Sequence, residues 1–567
     1  MAMLPKPNDP IYASLTKRQK YRKQIKAMFD ERQSMGWDAH WKDLARFLNP
    51  RSGLFNDAKP NDGKPKHQDI YDSTGLRARR ILTAGLMSGH ASPARPFHRL
   101  KVPDEKLMKR QAVKIWLDEV TRMQRLIWSK SNTYFMLQKI YRETGSFGTG
   151  ASIIEEDFEN VIHHTPLTVG EYALERNSRN IVDTIARRVP YRVLQVVKTF
   201  GYENCSQQLK DMYNRGDFYT WVNINHIIQP RDWEEREYKS PLSKHMKFSS
   251  CWFEDGDDFE TKLLRESGYR NFPGLTPRWD TSSGDTYGES PGMEVLGDVK
   301  QLMHDQLRKA QGIDYQTNPP VQVPTTYKEQ QSSRFPGGTM WYDPVSGAAP
   351  IKNAIDVQFN IQYVLEDIQD IRERINQGFF VDLFLMIANI ERSNVTAKEI
   401  AEKQEEKLTM LGPVIENLDA EVLIPLVDFT FDRMIEARIV PPPPQELQGM
   451  ELQVEFIGVL AQAQRAVGIG AADRLLGTIT AMAQIKPEAL DKLNPDAVLD
   501  DYADMLGVNP EWIVANEDVA IIRQERAKQQ AAAAQQEAMG PMADAAKTAS
   551  ETNITQPSAL TSLMGYQ

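Results

Sequence analysis

Hydrophobic positions recur at helical spacing along most of the chain and at strand spacing in one block of its first half. Leu15 to Leu48 predicts a helix broken near Gly36, with a basic start at Lys17, Arg18, Lys20, Arg22, Lys23 and Lys26. Tyr71 to Ser88 and Lys109 to Arg142 predict further helices, the second interrupted near Ser131. Strand formers cluster in Ala151 to Ile154, Ile181 to Arg187 and Tyr219 to Ile228. In the last of these Trp221, Val222, Ile224, Ile227 and Ile228 suit a pleated, half-buried surface. Gly, Pro and Asn in 51–66, and the charges in 233–247, mark loops. The pattern predicts a helix-rich α+β protein with no internal repeat.

Region 288–440 carries the clearest periodicity. Leu296, Val299, Met303, Ala310 and Ile313 predict a helix over 290–315, opened by Ser290 with Pro291 in the first turn. Val357, Ile361, Val364, Ile368, Ile371 and Ile375 alternate steps of four and three, a coiled-coil-like seam opposite Gln362, Glu366, Gln369, Asp370 and Glu373. Between the helices, 316–354 holds Pro319, Pro320, Pro324, Gly337, Gly338, Pro344, Gly347 and Pro350, which exclude a helix. Tyr327, Phe335, Trp341 and Tyr342 give that module something to pack. The apolar stretch Gly378 to Ile390 follows. Thr396 with Glu399 then forms a capping box opening a long helical stretch toward Ile439, broken or kinked at Pro413 and Pro425 and stopped by Pro441 to Pro444. From about Arg523 the chain turns Gln/Ala-rich and then Ser/Thr-rich, predicting helix followed by disorder. Periodicity alone fits a helical domain with a β insertion equally well.

Composition narrows the function classes. A chain of 567 residues is long enough for roughly two to four domains. No apolar run approaches the ~18 residues of a membrane span, and MAMLPKPNDP does not read as a secretory signal. Cys205 and Cys251 have no CxxC partner, which suits a reducing compartment. The net charge of −9 argues against a general nucleic-acid coater, which would normally be basic, but does not exclude a protein that must let DNA slide past without sticking.

Several apparent catalytic motifs dissolve on inspection. Gly288 to Gly292 matches G-x-S-x-G, yet a nucleophile elbow needs a preceding strand, and Thr281 to Asp285 predicts a loop. His304 alone follows Ser290, inside the next predicted helix, so Ser290 is read as a helix cap. Gly145 to Gly150 has no following Lys-Ser/Thr for a phosphate loop. His163 and His164 lack partners at zinc spacing and are read as strand surface; Asp255, Asp257 and Asp258 are read as a solvated turn. No catalytic residue, metal or cofactor is expected.

Specific wording takes the reading further. Leu86 to Leu100 (LMSGHASPARPFHRL) resembles the SG-x-x-x-P-x-x-P-W-F-x-L signature of podovirus-type head-to-tail connector (portal) proteins, departing at His98 where an aromatic hydrocarbon ring is expected. Glu143 to Gly150 with Glu155 to Asp157, Gly170 to Tyr172 with Ile181 to Arg187, and Phe272-Pro273 with Pro277 to Trp279 and Tyr287 to Gly292 resemble the next blocks. Thr396 to Glu399, Leu411 to Pro413 and Glu421 to Leu426 resemble the late block, so the resemblance runs in order over roughly 15–530.

The resemblance implies a non-enzymatic ring, usually of twelve subunits, at one capsid vertex. Double-stranded DNA passes through it, and a terminase packaging motor, tail adaptors, and capsid and scaffold proteins dock on it. The location implied is the virion, with host cytoplasm during assembly and no membrane. It implies a wing over 1–289, stem helices over 290–315 and 355–377, a clip over 316–354 and a tunnel-loop region over 378–395. The long helical stretch and wing return fall in 396–460, crown helices in 461–530 and a low-complexity tail in 531–567. A stem helix of roughly 22 residues spans about 33 Å, a sensible channel wall.

Val357, Ile361, Val364, Ile368, Ile371 and Ile375 become the expected stem packing, and Lys328, Arg334, Phe335, Trp341 and Tyr342 the expected clip docking residues. Arg308, Lys309, Arg372, Arg374, Arg392 and Lys398 are the channel candidates; Arg372 and Arg374 could equally pair with Glu366, Asp370 or Glu373 on a helix surface. The competing reading is another oligomeric virion or scaffold protein with no DNA-conduit role.

Overall fold

A computed structural model describes residues 15–55, 63–108, 110–237, 240, 242–256, 262–324, 335, 337–342, 352–353, 361–389, 409–447, 449–450, 452–461, 479, 495–496, 498–499, 514 and 519–531. Lys328, Arg334, Val357, Arg392, Lys398, the Thr396 cap, Asp257, Asp258 and most of 461–567 lie outside these residues.

The first helix, α1 (Lys17–Ser34), starts where Thr16 and Gln19 cap each other: Thr16 Oγ1 accepts from Gln19 N at 3.4 Å and Thr16 N donates to Gln19 Oε1 at 3.0 Å. Gly36, at φ 87°, breaks it before α2 (Trp37–Leu48). Then come α3 (Thr74–Gly89), α4 (Gln111–Lys130) and α5 (Thr133–Phe147), close to the predicted spans. Strand β1 (His98–Lys101) lies between α3 and α4.

The strand block forms two antiparallel sheets. In one, β2 (Ala151–Asp157) sits between β3 (Val161–Leu167) and the short β9 (Gly274–Leu275). The other has five strands in chain order: β4 (Tyr172–Arg176), β5 (Val182–Arg192), β6 (Trp221–Pro230), β7 (Phe248–Glu254) and β8 (Arg265–Tyr269). Alternation along its strands builds two cores. Ala173, Ala186, Ile227, Cys251 and Phe253 face Tyr21, Ile25, Met28 and Phe29 of α1. Ile224 and Trp252 point the other way, onto Val193, Val196 and Phe200 of α6 (Val193–Phe200) and Leu209 of α7 (Gln207–Asn214).

The same alternation corrects the reading of the two adjacent histidines. His163 is exposed, but His164 is fully buried beneath the start of α5. Thr133 Oγ1 lies 3.0 Å from its Nε2, while Asn132 pairs with its backbone N–H and C=O at 2.9 and 2.7 Å. Successive strand residues take opposite faces, so two neighbouring histidines could not both be surface on a covered sheet. Burial pushes the His164 imidazole down to about 3.

His98 resolves the departure from the family wording. Its ring is buried, 4.8 Å from Trp128 and 5.0 Å from Phe97, with Nε2 donating to Gln124 Oε1 at 3.0 Å. Burial lowers its pKa to about 4, so at neutral pH it packs as an uncharged aromatic ring with one satisfied polar edge.

Contacts divide the chain into two compact units, Met1–Leu100 with Val120–Pro442 and Val454–Leu475, and Lys101–Glu119 with Pro443–Gln453 and Leu476–Gln567. The sheets, and the helices that flank the small module, belong to the first. Among its described residues the second carries the ion pairs Arg110–Glu446 and Arg523–Asp496.

Candidate functional site

Ser290 begins the region of interest. Its buried hydroxyl accepts from Met293 N at 3.1 Å and donates to Ser146 O at 3.1 Å, capping α8 (Pro291–Glu294), and 281–285 is loop rather than strand. After a break at Val295 the chain continues as α9 (Leu296–Thr317). Beyond 318 a small sheet places β10 (Val321–Pro324) between β11 (Thr339–Tyr342), in parallel, and β12 (Lys352–Asn353), antiparallel. Trp341 and Tyr342 lie on β11, and Phe335, 77% exposed, in the turn before it. Helix α10 (Ile361–Gly378) returns.

The two helices form an antiparallel pair, closed at the end where the start of α9 meets the end of α10. A Cβ on Gly378 would lie 2.3 Å from Val295 Cγ1, so only glycine permits this approach. Arg374 Nη1 meets Asp298 Oδ1 at 3.0 Å at the same end. The small sheet therefore sits at the open end.

Ile368, Ile371 and Ile375 are buried, while Ile361 and Val364, nearer the open end, are half-buried. Helix α10 packs against α9 and α3. The stretch after Gly378, expected as a tunnel-loop region, is helical as α11 (Val381–Asn389) and lies on α3, where a Cβ at Gly85 would meet Phe384 Cδ1 at 2.1 Å. Toward the open end apolar side chains are left uncovered: Leu307 is 37% exposed, Ile313 38%, Tyr363 70% and Leu365 43%.

Charged groups tie the closed end together. Asp72 Oδ2 accepts from Arg372 Nη2 at 2.8 Å and Nε at 3.1 Å and from Gln306 Nε2 at 2.8 Å, while Thr74 occupies Oδ1. Burial alone would raise this carboxyl; the Thr74 hydroxyl and the Arg372 guanidinium outweigh it and hold it below its ordinary value. Arg374 also reaches Asp370 at 3.3 Å. Thus Arg372 and Arg374 are engaged, mainly by Asp72 and Asp298 rather than by the acids of their own helix.

Arg308 is exposed, with Nη1 on Gln311 Oε1 at 3.1 Å, and Lys309 is half-buried. They lie ten and eleven residues beyond Asp298, roughly 15 Å or more along the axis. Arg372 shares Asp72 Oδ2 with Gln306, two residues before Arg308, whereas Arg374 pairs with Asp298 nearer the start of α9. Asp72 and Asp298 were missed from sequence; the D-x-T start at Asp72 signals a helix cap but not its distant arginine.

The late helical stretch holds a second anchor. Residues 409–418 are helical straight through Pro413, so no break falls there; the break expected at Pro425 takes the form of a π-helical turn, Asp419–Leu423, before α12 (Ile424–Glu436). Pro425 explains the placement, since its ring would crowd the carbonyl of Glu421 four residues back and a widened turn relieves that contact. Both acids of the turn are clasped. Asp419 Oδ1 lies 2.7 Å from His90 Nε2, whose Nδ1 is 2.8 Å from the Tyr141 hydroxyl. Glu421 accepts from Arg278 Nε at 2.9 Å and from Arg278 N at 2.8 Å.

A region of two antiparallel sheets, an antiparallel helix pair joined through a small sheet, and a clasped late helix follow one another along the chain. The chain belongs to the bacteriophage head to tail connecting protein family, whose sequence profile matches residues 18–514. It is similar to the "Probable portal protein" of Bordetella phage BPP-1, 47% identical over 531 residues, 94% of this chain and 95% of the relative. It is also similar to the "Portal protein" of Salmonella phage epsilon15, 44% identical over 550 residues, 97% of this chain and 98% of the relative. Among the described residues no helix is long and apolar enough to cross a membrane, and no group of three metal-ligating side chains occurs.

Proposed function

We propose that this chain is the subunit of a portal ring, usually of twelve copies, through which double-stranded DNA is packaged and ejected. Full-length similarity to two phage portal proteins supports the reading. The observation that carries it is the uncovered apolar set Leu307, Ile313, Tyr363 and Leu365 on a helix pair whose base is closed. Tyr363 and Leu365, two positions apart, project to opposite sides of their helix, and exposed apolar side chains on both flanks are covered when copies stand on either side, as stem helices do in a ring.

On this reading α9 and α10 are the stem, with Ile361, Val364, Ile368, Ile371 and Ile375 in its seam, and the tip sheet is the clip. Phe335, Trp341 and Tyr342, with Lys328 and Arg334, would meet the terminase motor and later the tail adaptors. Arg372 and Arg374 serve the hairpin first, which leaves Arg308 and Lys309, and Arg392 with Lys398 beyond, to touch DNA phosphates weakly enough for sliding. The ring is a virion component at the capsid vertex, assembled in host cytoplasm with capsid and scaffold proteins. Negative-stain images of the purified full-length chain should show rings with a central hole. Solid or open assemblies would defeat the proposal.

A further inference from the structure

Helix α3 holds a buried guanidinium that no carboxylate among the described residues contacts directly. Arg79 is 6% exposed, yet among the described residues its side chain makes no hydrogen bond or ion pair; the bond at this residue is Thr83 Oγ1 donating to its backbone carbonyl at 3.0 Å. Its charged neighbours are mostly of its own sign. Burial first, then Arg142 and Arg80, push its pKa down to about 10. The one neighbouring acid, Glu143, is already engaged, accepting from Thr168 Oγ1 at 3.1 Å and lying 3.8 Å from Arg142 Nη2. Arg79 and Arg142 thus share one carboxylate, with Arg80 a further cation beside Arg79.

The packing beneath is fixed. A Cβ on Gly145 would meet Leu82 Cδ2 at 2.4 Å, and these residues sit one turn on from Arg142 and Arg79 in their helices. The rim is open: the Arg142 side chain is 38% exposed, and Arg77 and Arg80 are exposed on α3.

We infer that Arg79, with Arg80 and Arg142 at its rim, forms a socket for a side-chain carboxylate of a second copy of this chain. The inference rests on the ring reading and deepens it by naming a contact between copies. A second copy is favoured over nucleic acid for two physical reasons. A buried charge needs a counter-charge that stays in place, whereas DNA enters only after the ring has formed and then moves. A phosphate carried on a duplex also has poor access to so deeply buried a group, while a single aspartate or glutamate side chain can enter. The chain carries 77 acidic against 68 basic side chains, so each copy has carboxylates to offer and needs cationic receptors to associate.

The test exploits opposite signs in monomer and ring. In the full-length protein, Arg79→Met removes an unpaired buried charge from the monomer and a paired one from the ring. The thermal midpoint of the dilute monomer should rise. The concentration needed for assembly, followed by analytical ultracentrifugation, should increase about tenfold or more. A monomer that loses stability while assembly is unchanged would return Arg79 to the chain's own network and overturn the inference. Unchanged assembly with poorer DNA retention in filled particles would assign the socket to phosphate and overturn it equally. Arg142→Gln, at the exposed rim, gives the same assembly readout if Arg79→Met fails to fold. A wild-type chain that forms no ring at any concentration defeats the ring reading itself, a result separate from any variant's.

Discussion

The α9–α10 pair and the π-helical turn at Asp419–Leu423 both attach a helix to distant parts of the chain with carboxylates, but they rely on different forces. In the helix pair the apolar seam is sealed, with Ile368, Ile371 and Ile375 at 1%, 0% and 0% exposure, and ion pairs such as Arg374–Asp298 line its half-open edge. In the π turn the order is reversed. The Arg278 side chain is 5% exposed and the His90 side chain 3%, so the partners of the two acids lie inside. Similar distances therefore carry unequal weight, because solvent screens the half-exposed Arg374 more than the buried Arg278.

That contrast can be broken by substitution. The largest effect is expected from Arg278→Ala, which leaves Glu421 with only the backbone N–H of that residue and the Asn180 carbonyl without its guanidinium donor, in a mostly buried region. A loss of about 3–5 kcal/mol in urea unfolding is expected, and a loss below ~1 kcal/mol would show that water reaches the clasp. Next, Ile371→Ala should cost about 2–5 kcal/mol through the cavity it opens in the seam. In the charged direction, replacing Ile368 and Ile371 together by Asp should abolish rings; normal rings from that double variant would remove the helix pair from the stem.

Acid should separate the buried groups from the edge. His98 and His164 have folded pKa values near 4 and 3, both depressed by burial. The unfolded chain therefore takes up protons first, and stability present above about pH 6.5 falls as pH drops toward those values. The slope is about 1.4 kcal/mol per pH unit for each imidazole. His98→Phe should flatten the dependence between pH 6 and 4 by about one proton; an unchanged slope would mean that His98 is already charged in the fold. Asp72, also held below its ordinary value, loses its contribution only at still lower pH. The smallest effect belongs to Arg374→Ala at the half-exposed edge, about 0.2–1 kcal/mol in thermal unfolding. A cost equal to that of Arg278→Ala would erase the contrast altogether.

Most of the local architecture is legible from the residues alone. The break at Gly36, the Ser290 cap, the strand block and the α10 seam are each written in a few neighbouring positions, because capping, turn formation and periodicity act over one or two helical turns or along one strand. The misplaced features share a cause. Pro413 has the chemistry of a helix breaker, yet a helix runs through it, and the strain appears around Pro425 as a widened turn whose acids are clasped by His90 and Arg278. His164 carries no local mark of burial until α5 lies over its strand.

The wording of the conserved-looking blocks, read against a known family, was enough to predict a connector, and the family profile over 18–514 agrees. Charge partnership was beyond its reach. Arg372 could have paired with any of three acids on its own helix, and it chose Asp72, 300 positions away. Hydrophobic spacing is a one-dimensional record of which face is buried, so sequence by itself determined the elements and their apolar faces. Which charge meets which, and which is left buried without a partner among the described residues as Arg79 is, depends on the close approach of α3, α5, α9 and α10, and that only the tertiary structure decided.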